Sequence, residues 1–227
     1  MCTILVQWDP AAATALVLAA NRDEFRSRPS DEPAGIAPGV FAGRDRRAGG
    51  TWLALGPHGV AAITNIAGTP PRDGAPSRGM LPLLALRGEL PASFEPWSPF
   101  NLLVCDAAGL RVIVHSGAAN RVRTRVLRPG AHAIVNEPFG HARSARARRA
   151  TTLAGDGTPD FTRLADHGAH GDDGLCHHGE TYGTVSATHV VLDRAFRVLR
   201  YAHASGLPCT TPARDLTAAA QRVTNPA

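Results

Sequence analysis

Met1-Cys2-Thr3-Ile4-Leu5-Val6-Gln7-Trp8, a break at Asp9-Pro10, then Ala15-Leu16-Val17-Leu18-Ala19-Ala20 running into Asn21-Arg22-Asp23-Glu24: this opening decides the fold. Two short apolar runs flank a turn signal, the pattern of a β-hairpin. The pattern recurs. Residues 51–55 and 60–64 flank Gly56-Pro57-His58-Gly59, and residues 101–106 and 110–115 are joined through Ala107-Ala108-Gly109. Further strands are predicted at 132–135, 185–192 and 196–201. Helices are predicted from Ser77 to Arg87, with Pro82 limiting its regularity, at about 142–153, and near 162–166. Residues 168–179 read as a loop rich in Gly, His and Asp, residues 26–48 and 66–76 as loops, and the tail after Gly206 has no pattern. Many hairpins, few helices and no βαβ alternation predict an α+β layered fold with largely antiparallel sheets. No internal repeat or linker divides residues 1–227, so one domain is expected.

Composition excludes several classes. The net charge of +5 comes from Arg alone, since the chain has no Lys, and abundant Ala, Arg, Gly and Pro reflect a GC-rich coding bias. The densest basic stretch, Arg143, Arg146, Arg148 and Arg149, has no interleaved aromatic residues for base stacking and reads as a solvated helical face; no nucleic-acid partner is expected. No apolar run approaches the ~20 residues of a membrane span, and residues 11–20 lack the preceding basic segment of a signal peptide. A soluble, cytoplasmic protein with a small-molecule substrate is expected. Cys2, Cys105, Cys176 and Cys209 show neither disulfide-scaffold nor zinc-ribbon spacing, and Cys105 reads as a packed small hydrophobe.

Cys2 is the candidate reactive group. Aminopeptidases remove an initiator Met ahead of a small residue, which would leave a thiol and a free amine on one terminal residue. That amine, with a reference pKa near ~7.7–8.0, can take the thiol proton and later deliver it to a leaving group. By position alone, a second-residue Cys is more often incidental, so the rest of the sequence must support the reading.

It does so through ordered motifs. After Met1-Cys2-Thr3 come Asn21-Arg22-Asp23-Glu24, Gly43-Arg44-Asp45, Gly49-Gly50-Thr51-Trp52-Leu53 and Ala62-Ile63-Thr64-Asn65. Ser77-Arg78-Gly79, Val135-Asn136, and Tyr182-Gly183-Thr184 with Ser186-Ala187-Thr188 complete the set. The chain resembles the NRDE, or TANGO2-like, family from residue 1 to about residue 201. That family in turn resembles N-terminal-nucleophile hydrolases of the choloylglycine hydrolase and penicillin V acylase type. The resemblance implies a four-layer αββα sandwich and no cofactor. It makes Cys2 the nucleophile, with Arg22 lowering the thiol pKa and Asp23 orienting the amine. Asn65, by its backbone N–H, and Asn136, by its side-chain amide, match the oxyanion donors. Val185 stands where the family carries Arg after Tyr-Gly-Thr, and His189 follows the Ser-x-Thr segment where the acylases have Arg, so either a protonated His189 substitutes for that cation or the transition state needs less positive charge. The expected activity is a cysteine amidohydrolase or acyltransferase working through a Cys2 thioester on a small amide-bearing molecule. The alternative is a non-catalytic carrier for haem or an acyl lipid, a role proposed for TANGO2 proteins.

Other motifs carry plainer readings. Trp52 is core or pocket wall. Ser77 and Arg78 begin a helix and either bind an anionic substrate group or merely cap it. Cys176-His177-His178 contains metal-ligand types, but adjacent side chains diverge and no fourth ligand has useful spacing, so no metal is expected. His58, His115, His132, His141, His167, His170 and His203 read as scattered surface residues.

Overall fold

The computed structural model describes residues 2–68, 73–117, 121–169 and 173–225. Met1, His170 and part of the 66–76 loop lie outside them. The first sheet has six strands in the spatial order Gly130–Ile134 (β10), Thr3–Trp8 (β1), Thr14–Phe25 (β2), Tyr182–Asp193 (β11), Val198–Ala204 (β12) and Arg214–Asp215 (β13). The second has seven in sequence order: Ser30–Ala37 (β3), Val40–Asp45 (β4), Leu53–Gly56 (β5), Gly59–Asn65 (β6), Phe100–Asp106 (β7), Gly109–His115 (β8) and Val122–Val126 (β9). Every pairing is antiparallel.

The period-2 alternation of each central strand sorts its side chains between two cores. Ile4, Val6 and Trp8 of β1 and Leu103 and Cys105 of β7 fill the space between the sheets. Leu5 turns outward against Ala147 and Ala150 of the helix Ala145–Gly155 (α2) and Leu164 of Phe161–Leu164 (α3). On the opposite outer face, Ala61, Leu102 and Val104 pack against Leu81 and Ala85 of Leu81–Arg87 (α1). The result is helix, sheet, sheet, helix, the four-layer sandwich that the family resemblance implies.

Where expectation and structure differ, the local pattern was weak. Residues 26–48 are not simply loop: β3 and β4 lie there. Half of β3 is exposed and it contains Pro33, as an edge strand tolerates. β9 is exposed along its whole length with Arg123 and Arg125 on it, so only its pairing with β8 makes it a strand. The tail holds the helix Thr217–Thr224 (α4), whose Ala220 reaches the inter-sheet core. Pro82 leaves α1 regular because it sits in the first turn, where no intrahelical N–H is needed.

Two histidines read as surface residues are buried. His115 is fully buried, with its Nε2 3.0 Å from the carbonyl of Trp97. His203 has its Nδ1 2.9 Å from Thr188 Oγ1, and burial pushes it down from 6.5 to about 4. The unfolded chain therefore binds a proton that the folded chain refuses between these values. Stability is expected to fall as pH drops from 6.5 towards about 4, by on the order of 2–3 kcal/mol from this site. Thermal melts across that range in the native chain and in His203→Asn check it; an unchanged acid limb in the variant would refute the assignment.

Candidate active site

Cys2 sits at the head of β1, beside the charged end of β2. The β1–β2 register pairs Thr3 with Asn21, and one further step sets Cys2 opposite Arg22. The β1–β10 register pairs Ile4 with Ile134, and two further steps set Asn136 opposite Cys2 on the other flank. Cys2 opens on a cleft of about 470 Å³ at the rim between the sheets, lined also by Arg22, Asp23, Trp52, Asn65, Ser77 and Arg78. Asn136 and His189 are not on its wall.

Alternation along β2 gives Arg22 and Asp23 different jobs. Arg22 faces the space between the sheets. Its guanidinium lies 4.3 Å over the Trp52 ring, and Nη1 donates to Ser30 Oγ at 3.0 Å. Nη2 is buried without a hydrogen bond, with Asp45 Oδ2 3.7 Å away. Burial lowers the Arg22 pKa, against the pull of a Cys2 thiolate and nearby acids. Arg78, whose Nη1 donates to the carbonyl of Pro99 at 3.0 Å, is likewise lowered by burial and opposed by Cys2. Burial raises the Cys2 thiol; the backbone N–H of Asp23 and the charge of Arg22 act the other way. The expected lowering of the thiol by Arg22 is thus outweighed, and the sulfur is a thiol awaiting a base.

Asp23 turns to the helix side and is wholly buried there. Arg146 Nη2 donates to its Oδ2 at 2.6 Å and Thr184 Oγ1 to its Oδ1 at 2.7 Å. Arg146 also donates to Thr3 Oγ1 at 2.9 Å, tying α2 to the strand that carries Cys2. Arg146 was read as part of a solvated face. It is instead the buried member of the cluster, while Arg143 and Arg148 are exposed. A one-residue offset on an Ala-rich helix decides this, and composition does not reveal it.

Tyr182-Gly183-Thr184 gains a physical meaning. Tyr182 Oη donates to the carbonyl of Asp23 at 3.0 Å, and a Cβ on Gly183 would stand 2.6 Å from the carbonyl of His177. Register slips between Thr184 and Ser186, so Val185 lies on a bulge with no partner in β2. His189 does not supply the missing cation. It points to the helix layer, 6.0 Å from the Phe161 ring, and burial lowers its pKa, leaving it neutral. The cations near Cys2 are Arg22 and Arg78.

Gly49-Gly50-Thr51 and Ser77-Arg78-Gly79 pack backbone to backbone. Thr51 N donates to the carbonyl of Gly79 at 2.8 Å, and a Cβ on Gly50 would lie 2.3 Å from the carbonyl carbon of Gly79. This contact carries Arg78 to the cleft; Ser77 makes no capping bond. Sequence reading also missed Asn101. Fully buried on β7, it donates to Thr64 Oγ1 and to the carbonyls of Val135 and Glu137, and accepts from Phe139 N. It thereby stitches the segment bearing Asn136 to the second sheet. Ala67 N donates to the carbonyl of Asn136 at 2.9 Å, joining that segment to the turn after Asn65.

Among the described residues, the one group of three or more metal-ligating side chains is not in this cleft but around Cys176, behind Asp23. No described helix is long and apolar enough to cross a membrane.

Comparison with known proteins agrees with this architecture. A penicillin V acylase structure from Agrobacterium tumefaciens superposes with a TM-score of 0.53 over 95% of this chain and 86% of its own, at 14% identity, a likeness of fold alone. The mouse Transport and Golgi organization 2 homolog is 30% identical over 166 residues, and the cattle homolog 32% identical over 166 residues. Both matches take in 60% of this chain and 57% of the relative, so the chain matches a little over half of their length. The model of the Transport and Golgi organisation 2 family matches residues 1–167, which include Cys2, the Asn-Arg-Asp-Glu strand end, Asn65, Asn136 and Arg146; the chain belongs to that family.

Proposed function

We propose that this protein is a cysteine amidohydrolase or acyltransferase whose nucleophile is Cys2 once Met1 has been removed. The observation that carries the reading is the setting of Cys2: a thiol at the mouth of a cleft, held by the Asp23 N–H, between two partly desolvated guanidinium groups. In the reaction, the Cys2 amine takes the thiol proton and the sulfur attacks the amide carbonyl. The C=O electron pair moves onto oxygen, where the N–H of Asn65, on the cleft wall, receives it; Asn136, flanking Cys2 but off that wall, would have to turn its side-chain amide toward the sulfur to be the second donor. As the C–N bond breaks, the ammonium of Cys2 gives its proton to the departing nitrogen and a thioester remains. Water then adds with its proton passing to the Cys2 amine. The C–S bond breaks, the sulfur recovers the proton, and a carboxylic acid leaves; an acceptor amine in place of water yields a new amide. Asp23, locked by Arg146 and Thr184, orients the Cys2 amine.

The orphaned Nη2 of Arg22 and the nearby Arg78 suit a substrate bearing an anionic group near the scissile bond. The charged wall of Arg22, Arg28, Arg47, Arg78, Glu24 and Asp45 favours a polar substrate over a porphyrin or acyl chain, beside an apolar side of Trp52, Ile63 and Pro76. A reducing cytoplasm suits a working thiol.

Intact-mass analysis tests this directly. The purified protein is expected to lack Met1 and, after incubation with activated N-acyl amino acids, to carry one acyl group on Cys2. Retention of Met1 in active preparations, or acylation elsewhere only, would end the proposal.

A further inference from the structure

His167, Cys176, His178 and Cys209 come from three places in the sequence, yet one ligand atom from each lies within 4.8 Å of the others. Cys176 Sγ is 3.6 Å from Cys209 Sγ and 3.6 Å from His178 Nε2. His178 Nε2 is 3.2 Å from Cys209 Sγ and 3.2 Å from His167 Nε2. A tetrahedral zinc ion with Zn–S near 2.3 Å and Zn–N near 2.0–2.1 Å separates its ligands by about 3.8 Å for S and S, about 3.5 Å for S and N, and about 3.3 Å for N and N. Four of the six ligand pairs stand within about 0.4 Å of those separations, and all six lie within 4.8 Å around a common centre.

The backbone explains how the cluster forms. His177 N donates to Thr184 Oγ1 at 2.8 Å and Thr184 N to the carbonyl of His177 at 2.9 Å, so this segment lies extended against β11. Residues one apart then point to opposite sides while Cys176 and His178, two apart, share a side. Adjacent ligand types do diverge, as the sequence suggests, but His177 is the one that turns away. The N–H groups of Leu175 and Cys176 both donate to the carbonyl of Asp166, at 2.8 and 2.9 Å, which brings Cys176 back beside His167. Cys209 arrives from the turn at 207–211, closed by Thr211 N to the carbonyl of Leu207 at 2.8 Å. Three of the four ligands lie beyond the residues that the family model matches.

We propose that these four residues bind one structural Zn²⁺ as a Cys₂His₂ site. On binding, the two thiols release two protons to solvent, and the two thiolates neutralise the dication; no redox step is involved. Two histidines and two thiolates leave no open coordination position, which marks a structural rather than a catalytic ion. Its consequence reaches the cleft through Leu175, whose carbonyl accepts from Asn21 Nδ2 at 2.9 Å and from Arg146 Nη2 at 3.4 Å. The ion would clamp the loop that backs Asp23 to the segment following β12.

The test is metal analysis of the full chain purified under reducing conditions with zinc in the medium. About one zinc per chain is expected, falling to near zero in Cys176→Ser/Cys209→Ser and in His178→Gln. Cobalt exchange is expected to give the absorption of a tetrahedral thiolate site, which a mere folding defect would not mimic. Chelation is expected to lower the Tm by on the order of 5–10 °C. Cys2→Ala is expected to keep its zinc, so this inference and the nucleophile assignment fail separately. Sub-stoichiometric zinc after reconstitution, full zinc in the double Cys variant, another metal in its place, or a Cys176–Cys209 disulfide that persists without metal uptake after reduction would each overturn it.

Discussion

Cys2→Ala is expected to abolish acyl-enzyme formation and to cut turnover of any accepted amide by at least about a thousandfold, because no other group near the cleft can form the thioester. The fold should survive. Cys2 lies at the strand terminus and is partly exposed, so its truncation should shift stability by no more than about 1 kcal/mol. The thiol itself gives a second readout. Because burial raises its pKa, a smaller fraction is thiolate at any pH than for a free cysteine, and alkylation of Cys2 should keep climbing through the ordinary thiol range rather than level off near neutrality. Turnover need not follow that curve, since the terminal amine, ionising near ~7.7–8.0, removes the proton within the complex. Undiminished turnover in Cys2→Ala would sink the assignment. A plateau in alkylation near neutral pH would show instead that Arg22 outweighs burial.

Arg146→Met is expected to be the most destabilising single change near the site. It takes the Arg146 guanidinium from a wholly buried Asp23 carboxylate, a loss of about 3–5 kcal/mol, and frees Thr3 Oγ1 from that donor as well. The companion Asp23→Asn/Arg146→Met, with a neutral amide beside a thioether, should recover much of that stability. It should not recover activity, because the carboxylate that orients the Cys2 amine is gone. Denaturant midpoints and turnover measured on all three proteins separate the two roles. If the double variant regained activity along with stability, Asp23 would be a structural residue only.

The apolar runs Thr3–Trp8, 101–106 and 110–115 read correctly as strands because both faces of those strands are buried in successive cores at nearly every position. β3, β9 and α4 were hard to read for the opposite reason: these edge strands and this peripheral helix bury little, and the two strands show no alternating period. The same contrast holds at the cleft. Cys2, Arg22, Asp23, Trp52, Asn65, Ser77 and Arg78 were found because each lies in a short ordered motif, and the fold gathers these seven at one rim. Arg146 and Asn101 have no motif around them. Their positions become meaningful only when helix α2 and strand β7 are set against the first sheet.

The sequence by itself determined the layered antiparallel architecture through its hairpin pattern, and its ordered motifs carried the family resemblance that singles out the candidate cleft residues, since periodicity and local motifs are properties of neighbours along the chain. Only the tertiary structure decided which charges are buried: that Arg146 is buried against Asp23 while His189 faces the helix layer, that Val185 sits on a bulge, and that His167, Cys176, His178 and Cys209 share one centre. Burial and long-range ligand geometry depend on contacts between distant segments, such as Asp23 and Thr184, 161 residues apart, and no local pattern encodes a distance across that much chain.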